Sequence, residues 1–527
     1  MDTMLNVLNS LPLQALALSA VVLILAYFYK KSSYSYWTKL GIYNANPTFP
    51  FGNFGNVILK NTNTQLLFKK IYNETEGHRL VGLHGFSTKF LLVRDTELIK
   101  NILLRDFDHF HSRGIKINEK AEPLQMNLFF LSGTKWRHLR VKLTPTFTSG
   151  KMKMMFGTLV ECGKELKSVL QEHAGETIEV KDILARFTTD VIASCAFGIQ
   201  CNCLKNPDAE FRQWGRKIFS PSFRMTVFRI VNFFSSPLAR KLGLSFTPSD
   251  VSNYFRKMVN ETVEYRENNN VQRNDFMQLL IQLKNNPQDQ DNSVNGSRYK
   301  LEENEEDEKS FEITMDVVAA QAFVFFNAGF ETSSTTMTFC LYELAVNTDI
   351  QERVREEIDA VLRKHDGNIT YESLFEMEYL DKVVNETLRK YPPVQNLFRE
   401  CAKPYKIPGT DAVLEKGMRV FIPVMGLHYD PKYYPEPERF DPERFSDREK
   451  SRRPQYTYLP FGEGPRICIG MRFGLMQTKV GLISLLSSYV VHVSEKTPVP
   501  LVFDNTFILA PKGGLHLKIT NRPDKRR

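Results

Sequence analysis

The chain has 527 residues, 42% of them hydrophobic, and a formal net charge of +9. Its length allows one oversized domain or two or three ordinary ones, and its seven irregularly spaced cysteines exclude a small disulfide scaffold and point to a reducing compartment. The basic balance implies an anionic surface as partner, whether acidic protein, phospholipid head group or nucleic acid, without choosing among them.

Residues 11–29 (LPLQALALSAVVLILAYFY) contain no charge. As a helix rising 1.5 Å per residue they would extend roughly 28 Å, about the hydrocarbon core of a bilayer. Ala15-Leu16-Ala17 resembles a signal cleavage site, but it lies inside the apolar run and no Lys or Arg precedes it. The reading is therefore an uncleaved transmembrane anchor, residues 1–29. Lys30 and Lys31 follow the span, so the positive-inside bias leaves the body in the cytosol, on the endoplasmic reticulum membrane. Five N-x-[ST] sequons, beginning at Asn73, stay unglycosylated on that topology. Residues 30–53, ending in NPTFPFGN, are read as a basic, proline-containing tether, and 54–527 as one domain.

Helical patterns dominate the body, for example 182–197 and 348–365, while strand-like runs such as 90–93 and 418–423 are short. The expected class is mainly α with a small β portion. Residues 285–310 are polar and charged and read as a surface loop inside one domain. Trp136 and Arg140 stand four apart at helical spacing, an N–H donor and a guanidinium suited to a carboxylate. Residues 317–346 form a long apolar helical run interrupted by Asn327, Gly329, Glu331, Thr332, Ser333 and Ser334. Polar groups in so apolar a helix are costly unless they serve something, and they are expected to loosen its hydrogen-bond ladder into a groove. Glu386 and Arg389 share a helix face and, with Arg444, can form a buried charge network.

The most specific run is 461–470, FGEGPRICIG. Its glycines and proline force a tight backbone before Cys468, and the helical pattern that follows sets the thiol near a helix N-terminus, where a thiolate is stabilised. A buried structural cysteine is the bland alternative.

The F-x-x-G-x-R-x-C-x-G pattern resembles the haem-binding loop of cytochromes P450. AGFETS at 328–333, ETLR at 386–389 and FDPERF at 440–445 extend that resemblance through the chain in family order. Runs such as FFNAGFETSS and PFGEGPRICIGMRFG resemble the insect microsomal P450s of family 6, and more distantly vertebrate family 3. The resemblance implies the cytochrome P450 fold, haem b (iron protoporphyrin IX) and Cys468 as its metal ligand. It also implies Trp136, Arg140, Arg399 and Arg466 on the propionates, Phe461 beside the thiolate, Thr332 steadying dioxygen and Glu331 feeding protons. The glutamate–arginine network would brace the haem side. The tether has fewer prolines than the usual hinge, which puts the docking angle in question.

A haem-thiolate monooxygenase acting on lipophilic small molecules is the implied function. The sequence shows no flavin or dinucleotide module, so NADPH-cytochrome P450 reductase and cytochrome b5 are the implied electron donors, with Lys135, Arg137, Lys142 and Arg472 on the thiolate side; no nucleic acid partner is expected. By position in the family, the resemblance implies a substrate lining at 107–130, 211–234, 323–328, 394–398 and 505–509, segments rich in Phe that suit a lipophilic guest. Two rivals remain open at this point: a haem-thiolate isomerase or dehydratase of peroxides, which has no need of Glu331 and Thr332, and a non-catalytic haem-binding membrane protein.

Overall fold

The structure, a computed structural model, describes residues 2–59, 64–86, 88–116, 118–219, 227–228, 231, 238, 241–245, 247–285 and 312–523. Residues 286–310 of the loop expected at 285–310, and part of the expected lining at 211–234, lie outside them. Helices dominate, with a five-stranded sheet of order β1-β2-β3-β8-β5 formed by Tyr43–Asn44 (β1), Leu80–His84 (β2), Lys89–Val93 (β3), Arg419–Ile422 (β8) and Leu397–Glu400 (β5). Thr177–Glu179 (β4), Tyr489–Val493 (β9) and His516–Asn521 (β10) make a three-stranded sheet, and Tyr405–Lys406 (β6) and Val413–Leu414 (β7) a hairpin. The expected helices at 182–197 and 348–365 appear as Val180–Ile192, continued by a wider turn over Ala193–Phe197, and as Thr348–Lys364.

A helix runs over Asp2–Ser33. Among the described residues, no helix is long and apolar enough to cross a membrane; the side chains at 1–14, 16 and 26 are not among them. Much of the expected tether is folded onto the body. Trp37 is fully buried, its indole donating to the Leu83 carbonyl at 3.1 Å, and β1 pairs in parallel with β2. Burying so large an aromatic gives this segment its own share of the core, which the proline content of 30–53 did not suggest.

The central helix, Met315–Val346, is capped by the Thr314 side chain and buried along most of its length. It remains α-helical through residues 327–334, where a loosened ladder was expected. The hydroxyls of Thr332, Ser334, Thr336 and Thr338 each donate to the carbonyl four residues back, so they are satisfied without breaking the helix. Gly329 serves the crossing instead: a Cβ there would stand 2.4 Å from Cδ1 of Ile192 on the Val180–Ile192 helix. Beside the central helix lies Met471–Leu486, whose Gln477 side chain reaches the Gly329 carbonyl.

Glu386 and Arg389, on the Glu378–Lys390 helix, are fully buried and joined by two bonds of 2.7 and 2.8 Å. Arg444 approaches Glu386 at 3.5 Å, and the Asp441 amide donates to the same carboxylate. Burial pushes the Glu386 carboxyl up, while Arg389, the Asp441 amide and Arg444 oppose that push; Arg389 is held above its ordinary value by Glu386 in spite of burial. Arg389 also donates to the carbonyls of His428 and Arg439. His428, fully buried, bonds the Arg389 carbonyl through Nδ1 and accepts the Leu459 amide at Nε2, two bonds that require the neutral ring. A strut thus runs from the charge pair to the start of the cysteine loop.

Removing the cation strands a buried carboxylate, so Arg389→Ala is expected to cost about 3–5 kcal/mol, measured by chemical denaturation of the purified protein. His428 carries a pH signature. Burial lowers its pKa to about 3 from an ordinary value of 6.5, so the unfolded chain takes up the proton first. Its contribution is complete above pH 6.5 and lost as the pH falls toward 3. The stability advantage of wild type over His428→Gln should shrink by about 1.4 kcal/mol per pH unit below pH ~6, read from denaturation midpoints between pH 7 and 5.

Candidate active site at the cysteine loop

Local chain chemistry shapes the loop. A 3-10 turn over Gly464–Arg466 carries Pro465 as its second residue, and the Glu463 carboxylate accepts the Gly464 amide. Gly464 has φ +73°, and a Cβ there would fall 1.9 Å from the Leu103 carbonyl oxygen, so no other residue fits. The Cys468 amide donates to the Phe461 carbonyl at 2.9 Å, closing the loop just before the Met471–Leu486 helix.

Cys468 is the exposed cysteine among seven free thiols. Burial nevertheless pushes its pKa up, against the Gly470 amide, Arg140 and Arg113, which pull it down. The side chain is thus accessible at a place where nearby protein disfavours its charge. Elsewhere burial holds the Cys195 and Cys340 thiols far up, and Cys401 bonds the Lys403 carbonyl.

Four guanidiniums gather beside this thiol. Arg140, on the Gly133–Leu143 helix, donates to the Ile467 carbonyl at 3.0 Å. Arg466 donates to the Leu131 carbonyl and lies over the Trp136 ring, 4.3 Å from its centroid. Arg399 sits on β5, and the bridge between Ser112 and Glu400 carries Arg113 next to it. Burial lowers Arg113 to about 10 and Arg399 to about 9, and drives Arg466 down as well. After burial, the perturbing charges are the other arginines of the group and, for Arg113 and Arg140, the Cys468 thiol. Nε of Arg399 and both Nε and Nη1 of Arg466 are buried without a partner. Buried charge is tolerated only with compensation. A flat group bearing two carboxylates and a metal that takes a thiolate fits this donor set, which is what the haem expected from the loop would supply.

The expected residues Cys468, Trp136, Arg140, Arg399 and Arg466 therefore come together, and Phe461 contributes the carbonyl that closes the loop. Arg113 belongs with them, and sequence reading missed it. It sits in no motif spacing, and only the long-range Ser112–Glu400 bridge brings it to β5. Thr332 and Glu331 lie on the central helix, where the Thr332 hydroxyl donates to the Ala328 carbonyl at 2.6 Å and keeps its lone pairs as acceptors. Glu331 pairs with Lys181 at 2.9 Å, and that ammonium also bonds the hydroxyls of Ser334 and Thr335. His138 is half-buried, and Lys135 pairs with Glu119 on the surface. Several phenylalanines of the expected lining are core instead: Phe211 and Phe326 are buried against each other with ring centroids 4.7 Å apart.

Loss of one charge-assisted donor to a carboxylate is worth about 1.5–3 kcal/mol. Arg113→Ala and Arg399→Ala should each retain haem at least about tenfold less tightly, measured as transfer of haem to excess apomyoglobin.

The cytochrome P450 family model matches residues 46–518. The protein named probable cytochrome P450 6a14, from Drosophila melanogaster, is 44% identical over 513 residues, covering 96% of this chain and 99% of that relative. Cytochrome P450 6k1 of Blattella germanica is 43% identical over 505 residues, 95% of this chain and 96% of its own, and cytochrome P450 6a2 of Drosophila melanogaster is 42% identical over 513 residues, 95% and 98%. With these insect family 6 relatives and a matched model spanning both sheet and helices, the chain belongs to the cytochrome P450 family and is a haem b monooxygenase.

Proposed function

We propose that this protein inserts one oxygen atom from dioxygen into lipophilic small molecules such as plant toxins, insecticides or endogenous lipids and hormones, with electrons from NADPH-cytochrome P450 reductase and cytochrome b5. The observation that carries the reading is an accessible thiol enclosed by the protein and ringed by unneutralised arginines. When bound through the Cys468 thiolate, the haem supplies the oxidant for O–O cleavage and oxygen insertion.

The chain's own residues do the rest. Arg113, Arg140, Arg399 and Arg466 would hold the propionates, with Trp136 stacked on Arg466. Ala328 is exposed and Thr332 half-buried, one turn apart on a helix that is otherwise mostly buried, and they offer the substrate side an apolar and a hydroxyl surface. Thr332, its proton engaged by the Ala328 carbonyl, accepts a hydrogen bond and so orients a proton donor. Glu331, positioned by its pair with Lys181 at 2.9 Å, stands next to it as the acid group that relays protons. Half-buried Phe129, Phe130, Val394 and Leu397 keep water away and favour an apolar guest.

The apolar run at 11–29 lies in the Asp2–Ser33 helix, whose Leu18, Val22, Leu23 and Phe28 are exposed. This supports an endoplasmic reticulum anchor followed by Lys30 and Lys31 on the cytosolic side. Arg137, Lys142 and Arg472 flank the thiolate side and suit an acidic electron donor.

Turnover with added reductase, following NADPH, dioxygen, product and hydrogen peroxide over a panel of lipophilic compounds, tests the whole reading. Cys468→Ala should lose the red-shifted Soret band of the ferrous carbonyl complex. Thr332→Ala should keep that band while product per NADPH falls, toward or below the low end of the 10²- to 10⁴-fold typical of a positioned proton-transfer group, and peroxide rises. A Cys468→Ala protein that keeps the band sinks the ligand assignment, and unchanged coupling in Thr332→Ala removes that residue from the mechanism.

A further inference from the structure

Gln321 is fully buried in an apolar stretch of the central helix. Its Oε1 accepts the Leu128 amide at 2.9 Å, and its Nε2 donates to the carbonyls of Met126 at 2.9 Å and Val317 at 3.1 Å. Between those two clamped positions stands Asn127, itself 1% exposed. The Asn127 amide donates to the Leu124 carbonyl, and its Oδ1 accepts the amides of Phe129 and Phe130 at 3.0 and 3.3 Å. A segment without regular structure thus has its backbone groups satisfied by two buried side-chain amides. An apolar residue at 321 would leave the Leu128 amide and the Met126 carbonyl unmet.

The far side of the same segment is tied to the arginine group. Arg113 donates to the Phe129 carbonyl at 2.8 Å with its guanidinium 4.3 Å from that ring's centroid, and Arg466 donates to the Leu131 carbonyl at 2.6 Å. Phe129 and Phe130 meet edge to face, centroids 5.2 Å apart, and both are only half-buried. Their place relative to the site is therefore set from two directions, by the central helix through Gln321 and Asn127 and by the propionate-side arginines.

We propose that Gln321, acting through Asn127, is a positioning residue for substrate selection: it fixes the height of the Phe129–Phe130 pair and so discriminates lipophilic guests by bulk. This rests on the monooxygenase reading above, and the test separates the two. Imidazole and 1-phenylimidazole ligate haem iron through the same nitrogen and differ only by a ring. In wild type, both should shift the Soret band; failure of both would count against the haem site itself, not the clamp. In Gln321→Met, which conserves volume, haem content should be unchanged while backbone amides at 128–131 exchange hydrogen faster. The ratio of the two dissociation constants should move about five- to tenfold, the loss of one or two ordinary hydrogen bonds. Asn127→Ala should move the ratio in the same direction and stands in if Gln321→Met does not fold, whereas Gln321→Glu, which keeps the acceptor for Leu128, should lie between. A lowered melting temperature with an unmoved ratio, or equal weakening of both ligands, would make the clamp purely structural and overturn the proposal.

Discussion

Positive charge that the protein itself leaves unneutralised is the constraint around which this molecule is arranged. Arg113, Arg140, Arg399 and Arg466 lower one another's proton affinity in a buried setting, and three of their donor nitrogens have no partner. Such a group is unfavourable in isolation. It is held there by elements fixed through backbone bonds of their own: β5 in its sheet, the Gly133–Leu143 helix and the tight turn before Cys468. The scaffold bears a local cost that a dianionic guest relieves, and so cofactor retention and folding stability are linked through these four side chains.

The bracing of that scaffold is a second use of charge with the opposite logic. Glu386 and Arg389 are fully buried but matched, and His428 extends the pair to Leu459, just ahead of the cysteine loop. Here every charged atom has company, so the arrangement fixes position rather than attracting a ligand.

Features encoded within a few residues were readable from the chain. The turn around Cys468 follows from Gly464 and Pro465, the E-x-x-R pair from its helical spacing, and the long central helix from its long, mostly apolar run. Features made by distant contacts were not. Arg113 becomes a site residue only through the Ser112–Glu400 bridge, and Gly329, read as a loosening element, turns out to admit Ile192 of a crossing helix. The hydroxyl-rich stretch looked like a broken helix because its side-chain groups compete with the backbone in principle; in the fold they bond carbonyls that keep their helical partners. Family position likewise could not tell lining from core side chain by side chain, since Phe211 and Phe326 pack against each other.

The burial of Trp37 has a mechanical meaning. With its indole bonded to Leu83, with β1 paired to β2 and with Lys30 donating to the Gly85 carbonyl, the first sheet begins almost where the Asp2–Ser33 helix ends. A chain spans at most about 3.6 Å per residue, so the few residues left between helix and sheet form a short leash rather than a swivel. A surface that held the helix would keep the sheet close to it as well, so the reach of the body from that surface would follow from the packing of a tryptophan and not from linker length.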